Sequence, residues 1–253
     1  MTARAANTTS HWFTVPQNDQ AKIRLFCFPY AGGTNLIFRT WGKTLGPSIA
    51  VCTAHLPGRE RRLTEKPYTS ALSLVEAAAE AIVPHLDLPF AFFGHSMGAL
   101  LSFELARHLR RRNLPLPKHL FLSGRSAAQL GVMERVSYNL PADEFAEELR
   151  RLNGTPREVL EHQELMELMI PLLRADFQIC QTYPYAEEPA LDCPITAFGG
   201  LDDHDVTREM VGAWREQTTR AFRLLMLPGD HFFVNSAQDR ILAIISQELQ
   251  RTL

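Results

Sequence analysis

Six short apolar runs separated by helical stretches limit what this chain can become more than any other feature of its sequence. Residues 23–28, 49–56, 89–93, 120–123, 194–198 and 222–227 have the length and the aromatic or β-branched content of buried strands. Residues 36–45, 71–85 and 99–112 carry helical periodicity, with Leu72, Val75, Ala79 and Ile82 marking one face of the second. A last helix covers about 236–249, and a short strand is expected at 12–15. Strands apolar on both sides need cover on both faces, and helical connections bring the chain back to lay down a parallel neighbour. The expected class is therefore α/β, with a mostly parallel central sheet and helices on both faces.

One segment breaks the alternation. Residues 131–189 show helical pattern and no convincing strand. Phe145, Leu149 and Leu152 line one stripe, ended by Asn153-Gly154, and Thr155-Pro156 has the form of an N-cap followed by proline at the first helical position. Leu165, Met169, Leu172, Leu173 and Phe177 give a second stripe, which Pro171 is expected to kink or restart. A helical insertion between two sheet strands suggests a lid over the sheet's C-terminal edge. The division expected is a single domain, 1–253, with a core at 12–130 and 190–253 and a lid at 131–189.

The chemistry is concentrated in loops that follow strands. Gly94-His95-Ser96-Met97-Gly98 comes directly after the apolar run ending at Phe93 and opens a helix. That strand–turn–helix setting is the one in which a G-x-S-x-G serine is projected from a strained turn as a nucleophile. A serine hydroxyl needs a base, and the base needs an orienting group. In this architecture the chain order is serine, acid, histidine. His231 follows the strand ending at Leu227 and is the expected base. His204 stands too close behind the acid to reach Ser96 and reads as a solvated loop residue, while His95 packs in the elbow. Asp202, Asp203 and Asp205 all lie in the loop after Phe198, and spacing does not choose among them. Consecutive side chains rarely converge on one ion, so no metal is expected there. Two backbone N–H groups should stabilise the developing oxyanion. Met97, after the nucleophile, supplies one, and Ala31 in Pro29-Tyr30-Ala31-Gly32-Gly33 is the choice for the other.

Composition removes several alternatives. Lys and Arg number 26 against 28 Asp and Glu, a formal net charge of −2, so no global attraction to nucleic acid or an anionic membrane is expected. Cys27, Cys52, Cys180 and Cys193 form no Cys-x-x-Cys, which argues against a zinc knuckle or a disulfide scaffold, and Cys27 and Cys52 read as small buried hydrophobes. Neither an apolar signal segment nor a run of about 18 apolar residues occurs, so a cytoplasmic protein without a membrane span is expected.

Taken together, these residues resemble the α/β-hydrolase superfamily. Phe28-Pro-Tyr-Ala-Gly-Gly33, Leu56-Pro-Gly-Arg-Glu-Arg-Arg62, Gly94-His-Ser-Met-Gly98, Leu173-Arg-Ala-Asp-Phe177, Thr182-Tyr183 and Gly229-Asp-His-Phe-Phe233 stand in the order seen in stand-alone type II thioesterases. Those enzymes serve polyketide and nonribosomal peptide synthases, and the resemblance covers about residues 20 to 250. It implies Asp203 as the acid, because Gly200-Leu-Asp-Asp203-His-Asp-Val206 matches the family's G-x-x-D-x-x-V. It also implies a substrate, acyl thioesters on the phosphopantetheine arm of a carrier protein, and calls for no metal or redox cofactor. A monomer is expected. Tyr30 stands where many relatives carry His, and Gln181 where many carry Glu. Carrier proteins are usually acidic, so Arg59, Arg61, Arg62 and Lys66, or the Arg107–Arg112 cluster, are candidate docking patches. The rival readings are a carboxylesterase or lipase using the same triad, and a silent α/β-hydrolase used as a binding protein.

Overall fold

Side chains alternate across a strand, so each of these apolar runs feeds two layers at once. The computed structural model describes residues 11–131, 136–154, 160 and 162–252. Its strands are β1 (Phe13–Thr14), β2 (Ile23–Phe28), β3 (Ile49–Ala54), β4 (Phe90–His95), β5 (Leu120–Ser123), β6 (Ile195–Gly200) and β7 (Phe222–Leu227). They form one sheet in the order β1-β3-β2-β4-β5-β6-β7, antiparallel only between β1 and β3. Helices α1 (Trp41–Leu45), α2 (Ala71–Ile82), α3 (Met97–Arg111), α4 (Ala142–Leu152), α5 (Gln163–Gln181), α6 (Arg208–Gly212), α7 (Phe233–Ser236) and α8 (Gln238–Gln250) surround it. Leu25, Cys27, Ala91 and Phe93 join Phe38, Trp41 and the apolar side of α8 in one layer. Phe26, Phe28, Phe90 and Phe92 join α2 and α3 in the other. Edge-on ring pairs such as Phe28–Phe92, 5.9 Å between centroids, fix how these side chains interlock. The α/β-hydrolase arrangement expected from the sequence is what forms. Cys27 and Cys52 are buried, as expected.

Several details differ from the sequence reading. Residues 36–45 do not make one helix: a 3-10 turn at Asn35–Phe38 precedes α1, in a stretch where Thr40, Gly42 and Thr44 lend little helix propensity. On α2 the buried face runs through Leu74 and Ala78 beside Val75, Ala79 and Ile82, while Leu72 is exposed. α5 continues unbroken through Pro171, which sits on the exposed side together with Glu167, the residue whose carbonyl loses its partner. Met166 is buried there, and Leu165 is exposed. The short α6, capped by the Thr207 hydroxyl, was not expected. Thr155 and Pro156 lie outside the described residues.

Strand order places the site. The chain moves from β2 to β3 on one side, then crosses to β4 on the other side of β2. The C-terminal ends of β2 and β4 therefore flank the point where the winding reverses, the crevice in which open α/β sheets bind ligands.

Candidate active site

Ser96 occupies the turn between β4 and α3 with φ 53° and ψ −112°, strain for a residue that carries a Cβ. The neighbouring glycines permit it. A Cβ on Gly94 would run into the Gly98 carbonyl, and one on Gly98 into the Phe28 carbonyl. The turn is pinned by the Ser96 N–H, which donates to the Ser123 carbonyl at 2.7 Å.

Ser96 and His231 line one cavity of about 280 Å³, and Asp203 reaches that cavity through His231. The His231 Nδ1–H donates to Asp203 Oδ2 at 2.7 Å, which leaves Nε2 as the free basic nitrogen. Asp203 Oδ1 accepts the N–H groups of Asp205 and Val206 at 3.1 and 3.0 Å, which fixes its carboxylate independently of His231. The other two aspartates are engaged elsewhere. Asp205 pairs with Arg151 of α4 at 3.0 Å, and Asp202 accepts the Gly229 N–H at 3.3 Å. His204 is exposed.

Beneath the pair lies His95. Burial and the nearby His231 drive its imidazole well below the ordinary histidine range, so it is neutral. A carbonyl only accepts, so Nε2 carries the proton and donates to the His231 carbonyl at 2.8 Å, while Nδ1 accepts from the Ser123 hydroxyl at 2.9 Å. His95 therefore anchors the backbone of the candidate base, a role that packing in the elbow did not reveal.

The loop after β2 presents its amides unequally. Gly33 N–H bonds the Tyr30 carbonyl at 2.9 Å, and Gly32 N–H bonds Asp176 at 2.8 Å. Among the described residues Ala31 N–H has no acceptor, and Ala31 lines the cavity. Met97 opens α3, where a first-turn N–H has no intrahelical partner. These are the two amides that the sequence reading chose as oxyanion donors. Cavity walls come from the helical insertion, with Leu149, Leu152, Met169, Leu173 and Phe177 facing the sheet edge. Cys180 also lines it, but burial raises its thiol and keeps it protonated, a poor rival to Ser96.

The two family departures have definite contacts. Tyr30 packs edge-on against His95 and Phe232, and burial raises its hydroxyl. Gln181 Oε1 accepts the N–H groups of Ser137 and Tyr138, tying the approach to α4 onto the end of α5. The expected docking patches fare differently. Arg59 and Arg62 are buried, Arg62 with Glu65, the His55 carbonyl and the face of Trp12, so neither is available to a partner. Arg107, Arg110 and Arg111 are paired with Glu188, and Arg112 with Glu80. Burial of an arginine beside Pro57-Gly58 depended on acceptors that only the fold supplies.

Among the described residues no helix is long and apolar enough to cross a membrane. Residues 23–249 match the thioesterase-domain family model. The gramicidin S biosynthesis protein GrsT of Aneurinibacillus migulanus is 46% identical over 96% of this chain and 95% of its own. A solved structure of RedJ, a thioesterase from the prodiginine pathway of Streptomyces coelicolor, is 44% identical with a TM-score of 0.86, covering 90% of this chain and 91% of that one. YbtT, a type II thioesterase from the yersiniabactin NRPS/PKS pathway, is 30% identical with a TM-score of 0.85, over 95% of this chain and 98% of that one. On sequence and on structure alike, this chain belongs to the thioesterase family.

Proposed function

We propose that this thioesterase hydrolyses acyl groups from the phosphopantetheine arm of carrier proteins in polyketide or nonribosomal peptide assembly, clearing stalled or wrongly loaded carriers. The observation that carries the mechanism is the Asp203–His231 pair opening into the same cavity as the strained Ser96. Ser96 Oγ attacks the thioester carbonyl while His231 Nε2 takes its proton. Asp203 holds Nδ1–H and stabilises the imidazolium that forms. The tetrahedral oxyanion is held by the Ala31 and Met97 amides. Collapse expels the pantetheine sulfur, which takes the proton from His231, and leaves acyl-Ser96. His231 then deprotonates a water that attacks this ester, and the second collapse returns the proton to Ser96 and frees the carboxylic acid.

Apolar walls suit the acyl chain. The helical insertion serves as the lid of a single domain, 1–253. The proposed active unit is a monomer.

Mass spectrometry of a panel of acyl-loaded carrier proteins, before and after exposure to the enzyme, tests this directly. Free carrier and released acid should accumulate, and Ser96→Ala should lower kcat by about 10⁶-fold. Faster cleavage of matched oxygen esters than of thioesters would overturn the substrate assignment. An unchanged rate in Ser96→Ala would overturn the nucleophile.

A further inference from the structure

Arg59 and Asp176 take no part in the reaction as derived, yet they meet directly behind the loop that carries Ala31. Both are almost fully buried. Asp176 Oδ1 accepts from Arg59 Nη2 at 2.7 Å, and its Oδ2 accepts the Gly32 N–H at 2.8 Å. Arg59 Nη1 donates to the Gly33 carbonyl at 3.1 Å. The pair thus grips two peptides on the C-terminal side of Ala31, that between Ala31 and Gly32 by its N–H and that between Gly33 and Thr34 by its carbonyl, with the Gly32–Gly33 peptide held between them.

We propose that Arg59 and Asp176 are positioning residues of the thioesterase reaction, holding the loop at 30–33 so that the Ala31 N–H faces the oxyanion. The proposal rests on the functional reading above and adds residues to it. Gly32 lies at φ 73°, a conformation glycine adopts without cost, and Gly33 follows it, so the chain itself gives this turn little stiffness. An oxyanion donor works only when aimed before the charge develops. Asp176 removes the Gly32 N–H from competition and fixes the peptide plane beside Ala31. Charge-assisted bonds are short and directional, which suits a pair whose job is to set an angle. A link made for cohesion alone needs no buried charges, since apolar side chains of similar volume hold a core at least as well.

Asp176 belongs to α5, and the same helix sets Leu173 against Gly32, where a Cβ would strike its side chain. The seat of the helical insertion on the sheet therefore defines the oxyanion loop from two sides. A displacement of α5 would release both contacts together.

The test measures kcat and KM for acetyl-pantetheine, with folded enzyme counted by active-site titration, and the affinity of butylboronic acid. That acid bonds Ser96 and places a tetrahedral oxygen in the oxyanion site. Asp176→Ala is expected to lower kcat by about 100-fold, the loss typical of one misplaced donor, with KM within about 3-fold. Boronate affinity should fall by a similar factor, while butyrate, a planar product analogue, binds as before. Arg59→Ala should act in the same direction, and the double variant should be no worse than Asp176→Ala alone, as for two parts of one device. Arg59→Lys keeps the charge pair and should restore most of the rate, which supplies the readout if the alanine variants do not fold. Unchanged kcat per folded molecule, equal losses for boronate and butyrate, or additive effects in the double variant would overturn the positioning role. Full activity in Ser96→Ala would instead overturn the functional reading beneath it.

Discussion

Among the described residues, two arginine–carboxylate pairs have both side chains nearly removed from solvent. Arg59–Asp176 spans 2.7 Å with side chains 5% and 2% exposed, and Arg107–Glu104 spans 2.7 Å with 3% and 2%. In each, the arginine Nε finds no partner. What differs is where the remaining bonds go. Arg59 and Asp176 end on main-chain groups of Gly32 and Gly33, in the loop that walls the cavity. Glu104 accepts the Tyr183 hydroxyl at 2.6 Å, and Arg107 reaches Glu188 and the Ala186 carbonyl, none of them cavity residues. Similar chemistry serves as a gauge for backbone geometry in one place and as a rivet between α3 and the strap after α5 in the other.

The largest effect expected from the rivet is on stability. Glu104→Ala strips Arg107 of a buried partner and should destabilise the fold by about 3–5 kcal/mol, read by denaturant unfolding. The kcat of the folded fraction should stay at the wild-type value. A fall in kcat per folded molecule, of the size expected for Asp176→Ala, would erase the distinction between the two pairs.

A smaller effect belongs to Tyr183→Phe. It removes one hydroxyl donor to a carboxylate and leaves the ring packed, so a loss of about 1.5–3 kcal/mol is expected. Burial and the adjacent Glu104 already push the Tyr183 hydroxyl above the usual tyrosine range, so it remains a proton donor throughout the working pH range. Unfolding should show the loss undiminished from pH 6 to pH 9. A loss that changes sharply across that interval would mean the hydroxyl is not the group that holds Glu104.

The contrast also explains what the sequence made legible. The elbow could be read because everything that specifies it lies within a few residues of Ser96: an apolar strand, two glycines that no side chain could replace, and the start of α3. Asp203 was harder, since Asp202, Asp203 and Asp205 share a loop and only the backbone turn at Asp205 and Val206 decides which one faces His231. Family resemblance named Asp203 before geometry did. The Arg59–Asp176 brace was visible as two motifs and invisible as a pair, because its members stand 117 residues apart in the chain. An arginine after Pro57-Gly58 looks like a solvated loop residue until its acceptor is known. Leu72 and Leu165 failed for a smaller reason. Neighbouring apolar residues offer two phases for one helical stripe, and tertiary packing chose Leu74 and Met166.

The smallest expected effect comes from acid, and it again separates the two pairs. Burial alone would raise the Glu188 carboxyl, but hydrogen bonds from Arg110, Arg107 and Arg111 outweigh it and hold the group down at about 2. An unfolded glutamate titrates near about 4.3. Between those values the unfolded chain binds the extra proton, so stability falls as pH falls. The contribution of Glu188 is fully present above about pH 4.3 and lost as pH drops through about 2. Glu188 is partly open to solvent, so screening reduces the effect to about 1 kcal/mol, or roughly 2–4 °C in the midpoint for a chain of this size. Thermal unfolding of wild type and Glu188→Gln from pH 5 to pH 2 should therefore show a flatter profile for the variant. No partner of the Arg59–Asp176 pair is released in this step, because among the described residues Glu188 bonds only to arginines of α3. Boronate affinity, measured in the same variant at pH 6, should match wild type. A loss of boronate affinity in Glu188→Gln would mean that the rivet reaches the oxyanion loop after all, and that the two pairs form one network.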